Sequence, residues 1–249
     1  MKIIDAHAHL GYDSVFDVDF TESSLLEAQE SNGIDVTLVQ PPTVHDPEGV
    51  KLCHDAIAEL ARRFPNRFFG ICCPNPHLPG TQFQDEVRRC IEELGFVAVK
   101  LHPFGHAVNP LGTDGRKVFE TANRLAIPVM VHTGPGVPWT LPSLLRPIAE
   151  NYPSLKIVVA HAGHNMLSVE AGLLAESCPN VYLEPSWVSV LTVESWIRSL
   201  GAHRIMFGSD HGENAAVELA KYRSMKLTED QLAMVLGGTA ASVFGINLQ

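Results

Sequence analysis

Basic residues are scarce in this 249-residue chain: 18 Lys and Arg stand against 28 Asp and Glu, for a formal net charge of −10. No cluster of Lys or Arg offers a strip that could neutralise phosphates, so a nucleic-acid backbone and an anionic membrane surface are both excluded as expected partners. No apolar run approaches the ~20 residues needed to span a bilayer. The opening MKIIDAHAHL has one Lys and a short apolar run broken by Asp5, His7 and His9, so neither a leader nor an anchor is expected. Cysteines number five (Cys53, Cys72, Cys73, Cys90, Cys178), an odd count without C-x-x-C spacing, and reduced thiols in the cytoplasm are the expectation. The glycine fingerprint of dinucleotide sites and the Walker A loop are missing after the first apolar run, which weakens an open doubly wound sheet. Linkers, repeats and low-complexity tracts are missing too, so one domain over residues 1–249 is expected.

What the chain does have is a globular composition, 45% hydrophobic and 18% charged, at a length that buries roughly 70–75% of the unfolded surface. Short β-branched apolar runs recur at 3–9, 36–41, 68–74, 97–102, 128–133, 156–162, 181–186 and 204–210. Each is followed by a polar or Gly/Pro-rich turn and a longer amphipathic stretch. Helices are expected over 21–31, capped by Thr21 and stopped at Asn32-Gly33, and over 48–64 before Pro65. Thr228 and Gln231 form a capping box for a helix reaching Gly237-Gly238. Eight strand–helix units in this length match a single-domain (β/α)8 TIM barrel, whose active site lies at the C-terminal ends of the strands.

Those ends carry the unusual residues. His7 and His9 end the first run, Lys100 and His102 the fourth, His132 the fifth, His161 the sixth and Asp210 the eighth. With a strand period of two, His7 and His9 point to one side and Ala6 and Ala8 to the other, and Lys100 shares its side with Ala98 and His102. Unpaired, such groups are costly in a lumen lined by Val, Ile and Leu. Alone, each has an ordinary explanation: a satisfied core histidine, a structural cation, a helix cap. Together at one end of the strands, imidazole and carboxylate form a ligand set for zinc, manganese or iron. Glu184 reads as a solvated or supporting carboxylate, and Asp5 as support. His102, His106 and His164 lie in loops beside the ligands; Trp139 and Trp187 wall the pocket or cover the barrel; Cys72 and Cys73 end the third run; His45, His54, His77 and His203 read as surface residues.

The set D-A-H-A-H, V-K-L-H-P, V-H-T-G, A-H-A-G and F-G-S-D resembles the amidohydrolase superfamily, and along the whole chain its branch containing the aminocarboxymuconate-semialdehyde decarboxylase group. The resemblance implies that His7, His9 and Asp210 bind a divalent metal, expected to be zinc, with His132 a further ligand. His161 would bind a second ion or polarise substrate. Lys100 stands where two-metal relatives place a bridging carbamylated lysine or glutamate; unmodified, it would instead pair with an anionic substrate. His102 and His164 are the substrate-binding candidates. The expected activity is hydrolysis of a C–N or C–O bond of a small molecule, with Asp210 as the base and His161 as electrophilic helper. The alternatives are a metal-dependent decarboxylase of a small unsaturated or aromatic acid and a non-enzymatic metal-binding barrel. A homo-oligomer is compatible with this reading.

Overall fold

The computed structural model describes residues 1–247. Seven apolar runs become parallel strands that pair in chain order: β1 (Ile4–His9), β4 (Val36–Gln40), β5 (Phe68–Cys72), β6 (Ala98–Leu101), β7 (Val129–His132), β8 (Ile157–Ala160) and β9 (Val181–Glu184). A small antiparallel hairpin, β2 (Gly11–Asp13) with β3 (Val18–Phe20), follows β1. Alternation decides the packing. Val129 and Val131 face an outer cluster shared with the helices, whereas Met130 joins Ile4, Leu38, Ile71, Ala98 and Val158 in an inner cluster. Val243, Phe244 and Ile246, in and after the C-terminal helix α10 (Thr239–Phe244), pack into that inner cluster beside Ile4.

The eighth expected strand is not formed among the described residues. The run 204–210 makes one bridge, Ile205 to Leu183. Beside that bridge, Met206 N donates to Leu183 O at 3.0 Å and Phe207 O accepts from Ala6 N at 3.0 Å. The physical reason is competition: Phe207 N donates to Val235 O at 2.9 Å, in the π-helical turn Met234–Gly238, so a regular ladder cannot continue. That turn also carries the helix through Gly237-Gly238, where the sequence suggests a stop.

The helical expectations hold closely elsewhere. Helix α1 (Glu22–Asn32) is capped by Thr21 and ends at Gly33, whose φ of 67° a side chain would resist. Helix α2 (Pro47–Arg63) fills the second interval, and α9 (Glu229–Ala233) begins with the Thr228–Gln231 capping box. No helix among the described residues is long and apolar enough to cross a membrane.

Candidate metal centre and substrate cavity

Backbone irregularities aim the polar side chains. Asp5 pairs with Thr37 and Ala8 with Val39, so two residues of β1, Ala6 and His7, oppose the single Leu38. This bulge breaks the expected alternation: Ala6 joins the inner cluster, Ala8 the outer one, and His7 and His9 both reach the cavity at the strand end. His161 is not the last residue of a strand, as the pattern suggests. It opens a turn in which His161, Ala162, Gly163 and His164 all have positive φ (62°, 41°, 77° and 53°), and Asp210 has φ 65°. Four of these five are not glycine, and left-handed backbone at such residues is strained, a condition that clusters at functional sites.

A cavity of about 560 Å³ opens here, and all eight candidates (His7, His9, Lys100, His102, His132, His161, His164 and Asp210) line it. Donor atoms of His7, His161 and Asp210 lie within 4.8 Å of one another. Asp210 Oδ1 is 3.4 Å from His7 Nε2 and 3.3 Å from His9 Nε2. His7 Nδ1 donates to Glu184 Oε2 at 2.6 Å, which leaves Nε2 as the lone-pair nitrogen, and the Lys100 ammonium donates to it at 3.1 Å. His132 stands next to the triad, its ring 4.8 Å from His161 and stacked at 4.2 Å on His102. His102 Nδ1 accepts from Gly105 N at 2.9 Å, and the His164 ring is 4.8 Å from His161.

Burial dominates the electrostatics. It pushes His7 down to about 4, helped by Lys100 and opposed by Glu184 and Asp210. It also holds His102, His132 and His161 well below the ordinary imidazole value, so these rings are neutral at pH 7. For Asp210, burial works against the charge, but His161, His9 and His7 outweigh it and keep the carboxyl well below its usual range. Neutral imidazoles beside an ionised carboxylate are the form in which these groups ligate a divalent cation, so the donor set fits a metal. Burial lowers Lys100 to about 8, and it is the one ammonium or guanidinium in the cavity lining.

Supporting groups surround the donors. Asp5, raised to about 7 by burial, accepts from Ser209 N, Ser209 Oγ and His7 N at 2.9, 2.5 and 3.1 Å. Glu184 is fully buried, not solvated. Its room comes from Gly208, where a Cβ would lie 2.7 Å from Glu184 Oε1. Trp187 lines the cavity and Trp139 does not. His54 is not a surface residue: it is buried and bonded to Glu86 Oε1 at 2.7 Å.

Sequence reasoning missed Ser186, the hairpin residues Asp13, Phe16 and Phe20, and Phe104. Ser186 Oγ is 2.8 Å from His161 Nδ1, and Phe16, Phe20 and Phe104 join Trp187 as aromatic walls of the cavity. A polar residue just past an acidic strand end, as in Glu-Pro-Ser-Trp, was the available signal for Ser186. The phenylalanines carried none, because only the hairpin brings them over the mouth.

Comparison with known proteins adds three likenesses. The chain is 30% identical over 128 residues to 2-keto-4-carboxy-3-hexenedioate hydratase of a Sphingobium strain; the match covers 45% of this chain and 38% of that protein's length. It superposes on 5-carboxyvanillate decarboxylase from Sphingomonas paucimobilis with a TM-score of 0.79 at 17% identity, covering 99% of both chains. A dihydroxybenzoic acid decarboxylase from Polaromonas, holding manganese and 2-nitroresorcinol, gives 0.79 at 18% identity over 100% of this chain and 98% of its own. These decarboxylases and the hydratase overturn the expectation of a hydrolase, and the manganese leaves zinc without particular support. The amidohydrolase family profile matches residues 4–246, nearly the whole chain, and the protein belongs to the amidohydrolase family.

Proposed function

We propose that the protein is a divalent-metal-dependent decarboxylase of a small aromatic or unsaturated carboxylic acid, with manganese the favoured ion. One observation carries the reading: neutral imidazoles, an ionised carboxylate and a single ammonium floor a cavity walled by Phe16, Phe20, Phe104 and Trp187. That arrangement suits a flat acid, charged at one edge. The whole-length likeness to decarboxylases of aromatic acids supports it. His7, His9, His161 and Asp210, with His132 adjacent, would hold the ion. When bound there, it supplies Lewis acidity toward oxygen atoms of the substrate.

The chain's own residues account for the rest. The Lys100 ammonium draws in the carboxylate, which makes it a substrate contact in this reading and not a carbamate bridge. Aromatic walls orient the ring and exclude water. Asp210 starts ionised, so it cannot begin as an acid; it takes the proton of a substrate hydroxyl and returns it to the carbon bearing the carboxyl group. The C–C bond then breaks, its electron pair returns to the ring, carbon dioxide leaves, and solvent restores the hydroxyl proton. We also read residues 204–210 as the eighth stave of a closed barrel, supported by the hydrogen bonds that Met206 and Phe207 make on either side.

Water addition to an unsaturated acid is the second reading, favoured by the identity to the hydratase. The test is a panel of hydroxybenzoates and unsaturated acids given to manganese-loaded protein, with products weighed by mass spectrometry. Loss of carbon dioxide from an acid supports the proposal. Gain of water without that loss favours the hydratase, and no conversion of any acid contradicts both.

A further inference from the structure

The three residues whose donor atoms converge most closely, His7, His161 and Asp210, belong to three different parts of the chain. Yet one tetrapeptide touches all of them. Glu184 Oε2 takes the Nδ1 proton of His7 at 2.6 Å. Ser186 Oγ bonds His161 Nδ1 at 2.8 Å. The Trp187 indole Nε1 donates to Asp210 Oδ2 at 2.9 Å. Each bond consumes the atom facing away from the centre: His7 and His161 are left with Nε2, and Asp210 with Oδ1.

The tetrapeptide is itself interlocked. Ser186 N donates to Glu184 Oε1 at 2.8 Å, Ser186 Oγ lies 3.2 Å from Glu184 Oε2, and His161 N donates to the same oxygen at 3.2 Å. Helix α8 (Ala215–Ser224) props it from outside. Glu218 Oε1 accepts from Trp187 N at 2.9 Å, and Lys221 Nζ donates to Pro185 O at 2.7 Å and to Val188 O at 3.2 Å. Lys221 and Glu218 are paired with each other. Trp187 has φ 66°, a conformation costly for a bulky side chain and maintained here by bonds from both ends.

We propose that residues 184–187 act as one brace that presets all three donor atoms, with Ser186 and Trp187 as positioning residues and Lys221 as the outer support. The proposal rests on the metal reading of the site, not on the reaction class. Groups that orient metal ligands typically shift affinity 10–100-fold when removed. A brace shared by three ligands adds a second consequence: the losses are coupled, because its members belong to one hydrogen-bond network.

The experiment titrates Zn²⁺ and Mn²⁺ into metal-stripped protein against a chromophoric chelator. The wild type is compared with Ser186→Ala, Trp187→Phe, Trp187→Leu, Lys221→Met and the Ser186→Ala/Trp187→Phe double variant, all checked by circular dichroism. Metal affinity is expected to fall about tenfold or more in Ser186→Ala and equally in Trp187→Phe and Trp187→Leu, because the indole N–H, not the ring, is what Asp210 uses. Lys221→Met is expected to weaken binding without touching any ligand, and the double variant to lose less than the product of the single losses. Single variants within twofold of wild type would overturn the brace, as would a loss in Trp187→Leu that Trp187→Phe spares, or independent losses in the double variant. If a variant unfolds, the remaining ones decide. Wild-type protein that binds neither ion would overturn the metal reading itself and the brace with it.

Discussion

Asp210 and Lys100 are charged side chains of the cavity lining that reach His7, and their substitution separates chemistry from attraction. Asp210→Asn keeps the shape but removes the proton acceptor, so kcat should fall by a factor of 10² or more at saturating metal. Retention of more than about a tenth of kcat, a barrier change under ~1.4 kcal/mol, would remove Asp210 from the proton-carrying role. Lys100→Met should raise KM for the acid about tenfold or more while metal content stays the same. Loss of an equivalent of metal in that variant would instead favour the carbamate bridge. At this scale the sequence was informative where a polar residue ended an apolar run, as His7, Lys100 and His132 do. It marked Trp187 as a pocket wall and offered only the Glu-Pro-Ser-Trp pattern for Ser186; their bonds to Asp210 and His161 depend on a left-handed bend and on partners 23 and 25 residues away.

Between elements, two carboxylates act as fasteners. Asp13 accepts from Val15 N and Phe16 N at 2.8 and 3.0 Å and from Thr43 N at 3.1 Å, tying the β2–β3 hairpin to the loop after β4. Phe16 then stacks on Phe104, with ring centres 5.6 Å apart, above the cavity. Asp13→Ala should therefore raise KM more than it lowers kcat, as measured by steady-state kinetics. The second fastener joins α2 to α3 (Gly80–Glu92) through the buried His54–Glu86 pair. Burial opposes both charges; bonds from His54 and Arg89 outweigh it and bring Glu86 down to about 2, while Cys90 and Glu86 raise His54. The Glu86 contribution to stability is complete above its unfolded value of ~4.5 and is lost as pH falls toward 2. Glu86→Gln should cost ~3–5 kcal/mol near pH 5.5 and flatten the acid limb, read by denaturant unfolding across pH. His54 lies at the same helical face as Val50 and Ile57, so the periodicity of α2 did contain the signal that it is buried.

Across the whole molecule, chain order alone predicts the strand order, since each βα unit places the next strand beside the last. What the pattern could not foresee is the β1 bulge and the diversion of Phe207 N to Val235 O, because both depend on residues distant in sequence. Among the described residues two hydrophobic clusters form the core, and neither includes a donor of the candidate metal centre, so the protein stripped of metal should stay folded. Manganese at about a hundred times its Kd should then add ~2.7 kcal/mol, a Tm rise of about 5–10 °C for a chain of this size. The most direct test of the account is carbon dioxide release from carboxyl-labelled hydroxybenzoates and unsaturated acids as manganese is titrated into chelator-stripped protein. The account predicts no release without the metal and a rate that rises and saturates as metal binds. Full-rate release from the stripped protein, or none from any acid at saturating metal, would contradict it.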